Sequence, residues 1–352
     1  MRWASLAALA LALLALNAGL VGFVHWSGLD SAPVDVQTRA LYELRLQRLG
    51  AEQDRRKVVF IGDSLIRGAN LVESEGEAWA ERTLPARFGA RLEALHPGRF
   101  EVLNLGINGL LPRDADRIVA DVLLAAPALL VLNVTPRSFA ADFDSEQESS
   151  ARPFLHEDEG RPALQSVGAA LGRGLRRLLP ILRYRDLLQF HYLGKTPADA
   201  VEALVVDALA GPADEEDDLL EREILPLMKA ARRYNSVAVG PGHLQAKHLA
   251  SLLARLQAPG APPALLLGLA EDVEALGDQL DLKHYRAQSV ALRALVRGQI
   301  PAPGRVRFVE VGAKEVDGEY ADHIHLTAAG YDLLAARLLR EAGPLLEAHA
   351  RD

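Results

Sequence analysis

The sequence predicts an α/β fold with a parallel sheet of about five strands, an N-terminal transmembrane helix and a helical insertion. First, short apolar runs alternate with longer amphipathic stretches after residue 56, which is typical of a parallel sheet with helices on both sides. Second, Ala128–Val134 is an apolar run, as expected of a strand that is buried on both faces. Third, Ala4–Val24 contains no charged residue.

The alternation defines one α/β domain over residues 57–346. Residues 140–225 contain no strand pattern, and we predict a helical insertion there. Ser236–Val239 is predicted to be an extended connector rather than a strand. The predicted strands are Lys57–Ile61, Glu101–Leu105, Ala128–Val134, Ala264–Leu267 and Val306–Val311. The predicted helices are Ala78–Leu95, Pro112–Leu124, Leu244–Gln257, Tyr285–Arg297 and a last helix that begins near Thr327.

The N-terminal residues 1–26 are predicted to form a membrane anchor. Their uncharged segment, at about 1.5 Å per residue, spans roughly 30 Å of hydrocarbon. Trp3 and Trp26 flank it, and such rings favour the membrane interface. Arg2 places positive charge on the cytoplasmic side, so the remainder of the chain should lie outside. A cleaved signal peptide is the alternative. Residues 27–56 then form a juxtamembrane stalk that leads into a helix.

The composition excludes several classes of protein. The net charge of the 352 residues is −8 and aromatic residues make up 5%, so neither a basic surface nor a base-stacking platform indicates a nucleic-acid partner. The chain has no cysteine, which excludes disulfides, thiolate metal sites and a cysteine nucleophile. Phosphate-loop, dinucleotide-binding and zinc-protease motifs are absent, and we therefore predict no cofactor.

The sharpest motif follows the first predicted strand, where Lys57–Ile61 runs directly into Gly-Asp-Ser-Leu with the serine at position 64. In an open parallel sheet, ligands bind at the carboxyl ends of the strands. A serine that starts the next helix there would present its hydroxyl beside helix N–H groups. The alternative interpretation is that Ser64 only caps the helix.

A second motif, Asp-His-Ile-His-Leu-Thr, precedes the last predicted helix. A serine hydroxyl needs a base to take its proton, and histidine is the usual base near neutral pH. His325 is the candidate base, and Asp322 is the candidate acceptor that orients its ring. A surface turn is the alternative for this motif taken alone. His323, with Asp322 and His325, could instead contribute to a metal site, but no further ligand cluster is visible and we predict no metal.

The third motif is Asn-Leu-Gly-Ile-Asn-Gly over residues 104–109, at the end of the second predicted strand. A glycine at this place lets the backbone approach a ligand and offer an N–H group to a developing oxyanion. Gly109 is the candidate donor. A simple turn after a strand is the alternative.

In this order, the three motifs resemble those of the SGNH/GDSL hydrolase superfamily over about residues 57–346. The resemblance implies a flavodoxin-like three-layer α/β/α fold. It also implies that Ser64 is the nucleophile and that Asp322 and His325 complete a catalytic triad. Gly109 and the backbone N–H of Ser64 would then form the oxyanion hole.

One motif departs from the superfamily pattern. The superfamily usually has Gly-x-Asn-Asp after the third strand, and that asparagine donates to the oxyanion. In this chain Pro136 stands at its position, and proline has no N–H to donate. Asn108, Asn133 and Arg137 are candidates to compensate, and the sequence does not choose among them.

The chain also resembles membrane-anchored SGNH-like proteins of alginate O-acetylation and teichoic acid D-alanylation, which depart from the hydrolase pattern too. We therefore predict an extracytoplasmic serine esterase or O-acyltransferase that acts on an ester-linked acyl group of a cell-surface glycan. A membrane-bound acyl donor protein is a candidate partner. The alternative is a non-catalytic SGNH-derived binding or assembly protein. Pro136 favours that alternative, whereas the retained Ser64, Asp322 and His325 oppose it.

Overall fold

The computed structural model describes the α/β part of the chain. The described residues are 39–50, 54–68, 70–145, 150, 152–156, 225–300, 304–316 and 318–349, with Ala15, Ala18, Gly19 and Gly22. Apart from those last four residues, the predicted anchor lies outside this set, as does most of the predicted insertion. No helix in the described ranges is long and apolar enough to cross a membrane.

The chain divides into two compact units. One comprises Met1–Arg45 and Phe154–Glu215, and in its described part the rings of Tyr42 and Phe154 lie 6.0 Å apart. The other comprises Leu46–Pro153 and Glu216–Asp352. The second unit contains the whole described sheet and every residue of the candidate site.

Five parallel strands form one sheet in the order β2-β1-β3-β4-β5. The strands are β1 (Arg56–Gly62), β2 (Phe100–Gly106), β3 (Leu129–Asn133), β4 (Ala264–Leu269) and β5 (Val306–Val311). The predicted parallel α/β fold is therefore confirmed. The order is that of flavodoxin-like sheets, in which ligands bind where the strand order reverses. Here that switch point lies between β1 and β3.

Helices connect the strands in nearly the predicted pattern. The described α-helices are α1 (Arg39–Gly50), α2 (Ser64–Arg67), α3 (Leu71–Glu75), α4 (Trp79–Arg82), α5 (Leu84–Leu95), α6 (Pro112–Leu123), α7 (Leu225–Asn235), α8 (Leu244–Leu256), α9 (Leu282–Gln299) and α10 (Ala328–His349). Ser236–Val239 is irregular, as predicted, apart from one isolated bridge between Val237 and Ala140. Thr327 caps α10, because its hydroxyl accepts the N–H of Gly330 at 3.2 Å.

Both faces of β1 are buried. Val58 and Phe60 pack with residues of α5 and α10 in the main core, while Val59 and Ile61 are buried on the opposite face. The chain moves in one direction from β1 to β2 and in the other from β2 to β3. Right-handed crossovers therefore place α5 and α6 on opposite faces of the sheet. This topology brings the carboxyl ends of β1 and β3 side by side.

The prediction of one continuous helix over Ala78–Leu95 is wrong. Thr83 has extended backbone angles (φ −63°, ψ 155°) and separates α4 from α5. Its hydroxyl accepts the N–H of Ala86 at 3.4 Å. Pro85 lies in the first turn of α5, where its missing N–H has no helical partner to lose. The apolar periodicity continues through this break, and so it conceals the cap.

Candidate active site

The turn after β1 is built around Asp63 rather than Ser64. Asp63 is the N-cap of α2, and its Oδ1 accepts the N–H of Leu65 at 3.0 Å. Ser64 is the first residue of the helix and is 8% exposed. The alternative that Ser64 merely caps the helix is therefore wrong. Because Asp63 fills that role, the Ser64 hydroxyl is left for another partner.

Asn133, at the end of β3, holds this turn in place. Its Oδ1 accepts the N–H of Asp63 at 3.0 Å, and its Nδ2 donates to Asp63 Oδ1 at 2.8 Å. A Cβ atom at Gly62 would lie 1.9 Å from Asn133 Oδ1, so the contact requires glycine. Both ends of the amide are engaged by Asp63. These contacts assign Asn133 the role of a positioning residue for the turn that carries Ser64.

The structure brings Ser64, His325 and Asp322 together. His325 Nε2 lies 2.8 Å from Ser64 Oγ, across 261 residues of sequence. His325 Nδ1 lies 2.7 Å from Asp322 Oδ2. With Nδ1–H donating to Asp322, Nε2 is free to accept the Ser64 hydroxyl proton. The imidazole side chain is 17% exposed, so a substrate can reach this group.

Asp322 is fixed by its own loop. Its Oδ1 accepts the backbone N–H groups of Ile324 and His325, each at 2.7 Å. Burial raises the pKa of Asp322, but the hydrogen bonds from the His325 ring and from the backbone outweigh burial and hold the pKa well below its ordinary value. Asp322 is therefore ionised at neutral pH. It can stabilise an imidazolium without taking up the proton itself.

His323 contacts an aromatic side chain of α7. Its ring packs edge-on against Tyr234, with centroids 5.8 Å apart. Burial lowers the pKa of His323, a shift that the nearby Asp322 opposes. Within the described ranges, no three His, Asp or Glu side chains are grouped to hold a metal ion. This packing gives His323 a structural role.

The turn after β2 lies against the end of β1. The N–H of Ile107 donates to Gly62 O at 2.8 Å, and Gly109 is exposed at the tip of the turn with φ 71°. A positive φ favours glycine. Asn104 fastens the turn, because it accepts the N–H of Gly106 at 2.8 Å and donates to Ile66 O at 3.2 Å. Gly109 stays a predicted oxyanion donor, on a turn that is bonded to the end of β1.

Arg137 and Asn108 are the remaining candidates to compensate for Pro136. Arg137 Nη2 donates to Asp63 Oδ2 at 3.3 Å. Burial lowers the pKa of Arg137, but the neighbouring acidic groups, Asp63 foremost, have the larger combined effect and raise the pKa above its ordinary value. The guanidinium therefore stays charged. Asn108 Oδ1 is buried and has no hydrogen-bond partner in the part of the chain described. Arg137 is thus a cation next to the residue that precedes Ser64.

Two buried residues were not predicted from the sequence. Glu271 follows β4, and Tyr285 lies in α9. Glu271 is 7% exposed, and its Oε2 accepts the hydroxyl of Tyr285. Burial raises the pKa of Glu271 to about 7, although Arg137 and the Tyr285 hydrogen bond act in the opposite direction. The signal was available, since Glu271 stands directly beyond a parallel strand. It was missed because no familiar motif surrounds it.

Comparisons with known proteins give only distant structural matches. No protein-family model matches the sequence, and no curated protein matches it significantly. An alpha/beta hydrolase from the metagenome of Lake Arreo, Spain, aligns at 18% identity and a TM-score of 0.39, over 82% of this chain and 96% of its own. An acetyl xylan esterase from Geobacillus stearothermophilus aligns at 16% identity and a TM-score of 0.37, over 82% of this chain and 94% of its own. A family 3 carbohydrate esterase from Clostridium thermocellum aligns at 12% identity and a TM-score of 0.38, over 84% of this chain and 98% of its own.

The fold and the site define an α/β protein with a Ser-His-Asp arrangement at the switch point of a parallel sheet. The triad motifs, Asp63 and Asn133 all contribute to this arrangement, as the contacts above show.

Proposed function

We propose that this chain is an SGNH-type serine esterase or O-acyltransferase that works through an acyl-enzyme on Ser64. One observation carries the proposal: Ser64 Oγ lies 2.8 Å from His325 Nε2, while His325 Nδ1 lies 2.7 Å from Asp322. A nucleophile within hydrogen-bond reach of a base, with the base oriented by a third group, is the arrangement that activates a serine.

The reaction follows from the donors and acceptors of the triad. Ser64 Oγ attacks the ester carbonyl carbon while His325 Nε2 takes the hydroxyl proton, and Asp322 stabilises the imidazolium. The tetrahedral intermediate collapses, His325 returns the proton to the departing alkoxide oxygen, and an acyl-Ser64 ester remains. Water or a sugar hydroxyl then gives its proton to His325 and attacks the acyl carbon. Ser64 leaves with that proton, and the product is an acid or a new ester.

The proposed oxyanion hole has two backbone donors, the N–H groups of Ser64 and Gly109. The first N–H groups of a helix have no partner within it, which suits Ser64 at the start of α2. The side-chain donor of the superfamily is absent at Pro136. Arg137 is a candidate substitute, because its charged guanidinium lies beside Asp63, the residue before Ser64. The loss of one donor lowers the rate by about 10²- to 10³-fold.

A weak oxyanion hole predicts slow hydrolysis of a simple ester. It also predicts a faster reaction when an acceptor is present, because a transferase benefits from holding its second substrate in place. We expect slow release of p-nitrophenol from p-nitrophenyl acetate, and faster release together with acetylation of the polymer when a polysaccharide is added. The same polysaccharide with its hydroxyls fully acetylated is the matched control and should give no acceleration. Fast turnover that is indifferent to acceptor would make the protein a plain hydrolase.

The proposed substrate is an acylated cell-surface glycan, reached from outside the cytoplasm by a chain anchored in the membrane. A membrane-bound acyl donor protein would supply the acyl group to a transferase. Support for the anchored location comes from the uncharged N-terminal segment with its flanking Trp3 and Trp26. The non-catalytic alternative draws on Pro136 alone, and the intact triad opposes it.

The anchored location predicts where the intact protein fractionates. In cells that express the full chain, the protein should remain in the membrane pellet after a salt wash. Residues 57–352 should be digested by protease added from outside. A soluble form whose first residue lies after about position 25 would show instead that the segment is a cleaved signal peptide. Protection from protease in spheroplasts, with digestion only after the inner membrane is lysed, would contradict an extracytoplasmic site, whether periplasmic or at the cell surface.

A further inference from the structure

A buried carboxylate follows β4 and takes no part in the chemistry described above. Oε2 of Glu271 accepts the hydroxyl of Tyr285 in α9. The hydroxyl of Tyr234 in α7 also interacts with this carboxylate. The two tyrosine rings meet edge-to-face, with centroids 5.2 Å apart. Glu271, Tyr234 and Tyr285 are called the tyrosine–glutamate cluster below, and all three belong to the same compact unit as the triad.

One end of the cluster is connected to the turn that carries Ser64. The guanidinium of Arg137 attracts the Glu271 carboxylate and donates to Asp63 Oδ2 at 3.3 Å. Asp63 caps α2 and directly precedes Ser64. Charges at a buried site interact strongly, because little water screens them. A change in the charge of Glu271 therefore changes the force on the cation that is bonded to the serine turn.

The other end of the cluster contacts the loop that carries the triad base. The ring of Tyr234 packs edge-on against that of His323, with centroids 5.8 Å apart. His323 directly follows Asp322 in the chain. The same loop is joined to the end of β4, because the hydroxyl of Tyr320 donates to the carbonyl oxygen of Ala270, next to the buried carboxylate. The cluster is therefore connected to both parts of the triad.

Packing alone does not account for a carboxylate at this place. Apolar side chains of similar volume are often at least as stabilising as a buried charged group with its partners. Burial raises the pKa of Glu271 to about 7, although Arg137 and the two tyrosines act in the opposite direction. About half of the molecules therefore carry this buried charge at neutral pH. Such groups are concentrated at functional sites.

We propose that Glu271 is a positioning residue for the acyl-transfer reaction. Its negative charge fixes the Arg137 side chain that bonds the serine turn, and it fixes Tyr234 against the loop of the base. The two contacts together keep Ser64 Oγ within reach of His325 Nε2. The inference rests on the proposed function and adds a residue to it. A displacement of about 1 Å at the reacting atoms can lower a rate by about 10²-fold.

The test is the Glu271→Gln substitution in the full-length protein, with p-nitrophenyl acetate as substrate. Glutamine keeps the size of the side chain but removes its charge. We expect kcat to fall by about tenfold to 10²-fold and KM to change little, because the loss is in the transition state. Glu101→Gln is the matched control. Glu101 is a buried carboxylate at the start of β2 that pairs with Lys57 and Arg48, so this change should lower the unfolding midpoint and leave kcat unchanged.

A second variant keeps the test valid should Glu271→Gln fail to fold. Tyr234→Phe removes the hydroxyl beside the carboxylate and keeps the ring that packs against His323. It should lower kcat by about threefold or more. In the double variant the two losses should not multiply, because both substitutions break the same contact.

The acid side of the pH profile provides a readout that loss of packing would not change. Protonation of the triad base alone lowers kcat/KM by at most tenfold per pH unit. Glu271, with a pKa of about 7, also takes up a proton as the pH falls. Wild-type kcat/KM should therefore fall more steeply than tenfold per unit where both groups titrate, and Glu271→Gln should not. The charged and titratable groups that face Glu271 are Arg137, Asp63, Tyr234, Tyr285 and Tyr320.

A wild-type kcat in folded Glu271→Gln would overturn the proposal, as would a change confined to KM or an equal loss of kcat in Glu101→Gln. Labelling of Ser64 by a fluorophosphonate separates this failure from failure of the proposed function. An adduct that forms on Ser64 equally fast in the wild type and in Glu271→Gln would remove only the positioning role. A folded wild-type protein without an adduct on Ser64 would remove the esterase and the positioning role together.

Discussion

Replacing Ser64 with alanine is expected to lower ester cleavage by on the order of 10⁴-fold or more, since the acyl-enzyme then has no oxygen on which to form. The fold should be unaffected, because Asp63 rather than Ser64 caps α2. Rates are measured as release of p-nitrophenol from p-nitrophenyl acetate. The unfolding midpoint of each protein is measured in parallel.

The matched control for this substitution is Ser74→Ala. Ser74 is an exposed serine in α3 whose hydroxyl contacts only the Asn70 carbonyl, at 3.5 Å, among the described residues. It should retain the wild-type rate and stability. Activity that persists in Ser64→Ala would mean that another residue is the nucleophile.

Replacing Asp322 with asparagine is expected to lower kcat by roughly 10⁴-fold, the effect of losing the acidic member of a triad. The amide oxygen can still accept the N–H groups of Ile324 and His325 that Asp322 Oδ1 accepts now. The amide nitrogen would replace the oxygen that faces His325 Nδ1. Because it donates, it favours the tautomer that carries the proton on Nε2, and Nε2 then cannot accept the proton of Ser64.

The control for this change is Asp332→Asn, another aspartate-to-asparagine substitution at a partly exposed position. Asp332 lies on α10 and pairs with Arg91 at 2.6 Å. Asp332→Asn should leave kcat unchanged. KM should change little in Asp322→Asn, since the interaction is made in the transition state. A loss of less than about tenfold in kcat would contradict the role of Asp322 in orienting the base.

The strands and the triad were predictable for a local reason. A strand buried on both faces reads as a short apolar run, and its carboxyl end in a parallel sheet is a ligand site whatever the rest of the chain does. Ser64 follows β1 directly. The Asp-x-x-His spacing brings Asp322 Oδ2 to His325 Nδ1 within one turn of chain, so that pair is also encoded locally.

The support around Ser64 could not be predicted in the same way. Asn133 contacts Asp63 across 70 residues and Arg137 contacts it across 74, so their roles depend on β1 and β3 being neighbours. The sequence left Asn108, Asn133 and Arg137 as equivalent oxyanion candidates, and it did not show that Asn133 and Arg137 both bond to Asp63. Glu271 was missed because its raised pKa comes from burial beside Tyr234 of α7 and Tyr285 of α9, which the order of residues does not reveal.

The break at Thr83 shows a limit of a different kind. Apolar periodicity indicates which face of a helix is buried. It does not reveal a single extended residue after which a new helix begins with nearly the same face buried. The capping bond from Ala86 N–H to Thr83 is short-range, and the Thr-Leu-Pro sequence was its available signal. By contrast, the membrane anchor and the insertion remain predictions.

The central claim is that Ser64 is a nucleophile activated by His325. It is tested most directly by treating the full-length protein with a fluorophosphonate and locating the adduct by mass spectrometry of its peptides. The account predicts one adduct, on Ser64, that is absent in Ser64→Ala and forms much more slowly in Asp322→Asn. A folded wild-type protein that carries no adduct, or carries it on a residue other than Ser64, would contradict it.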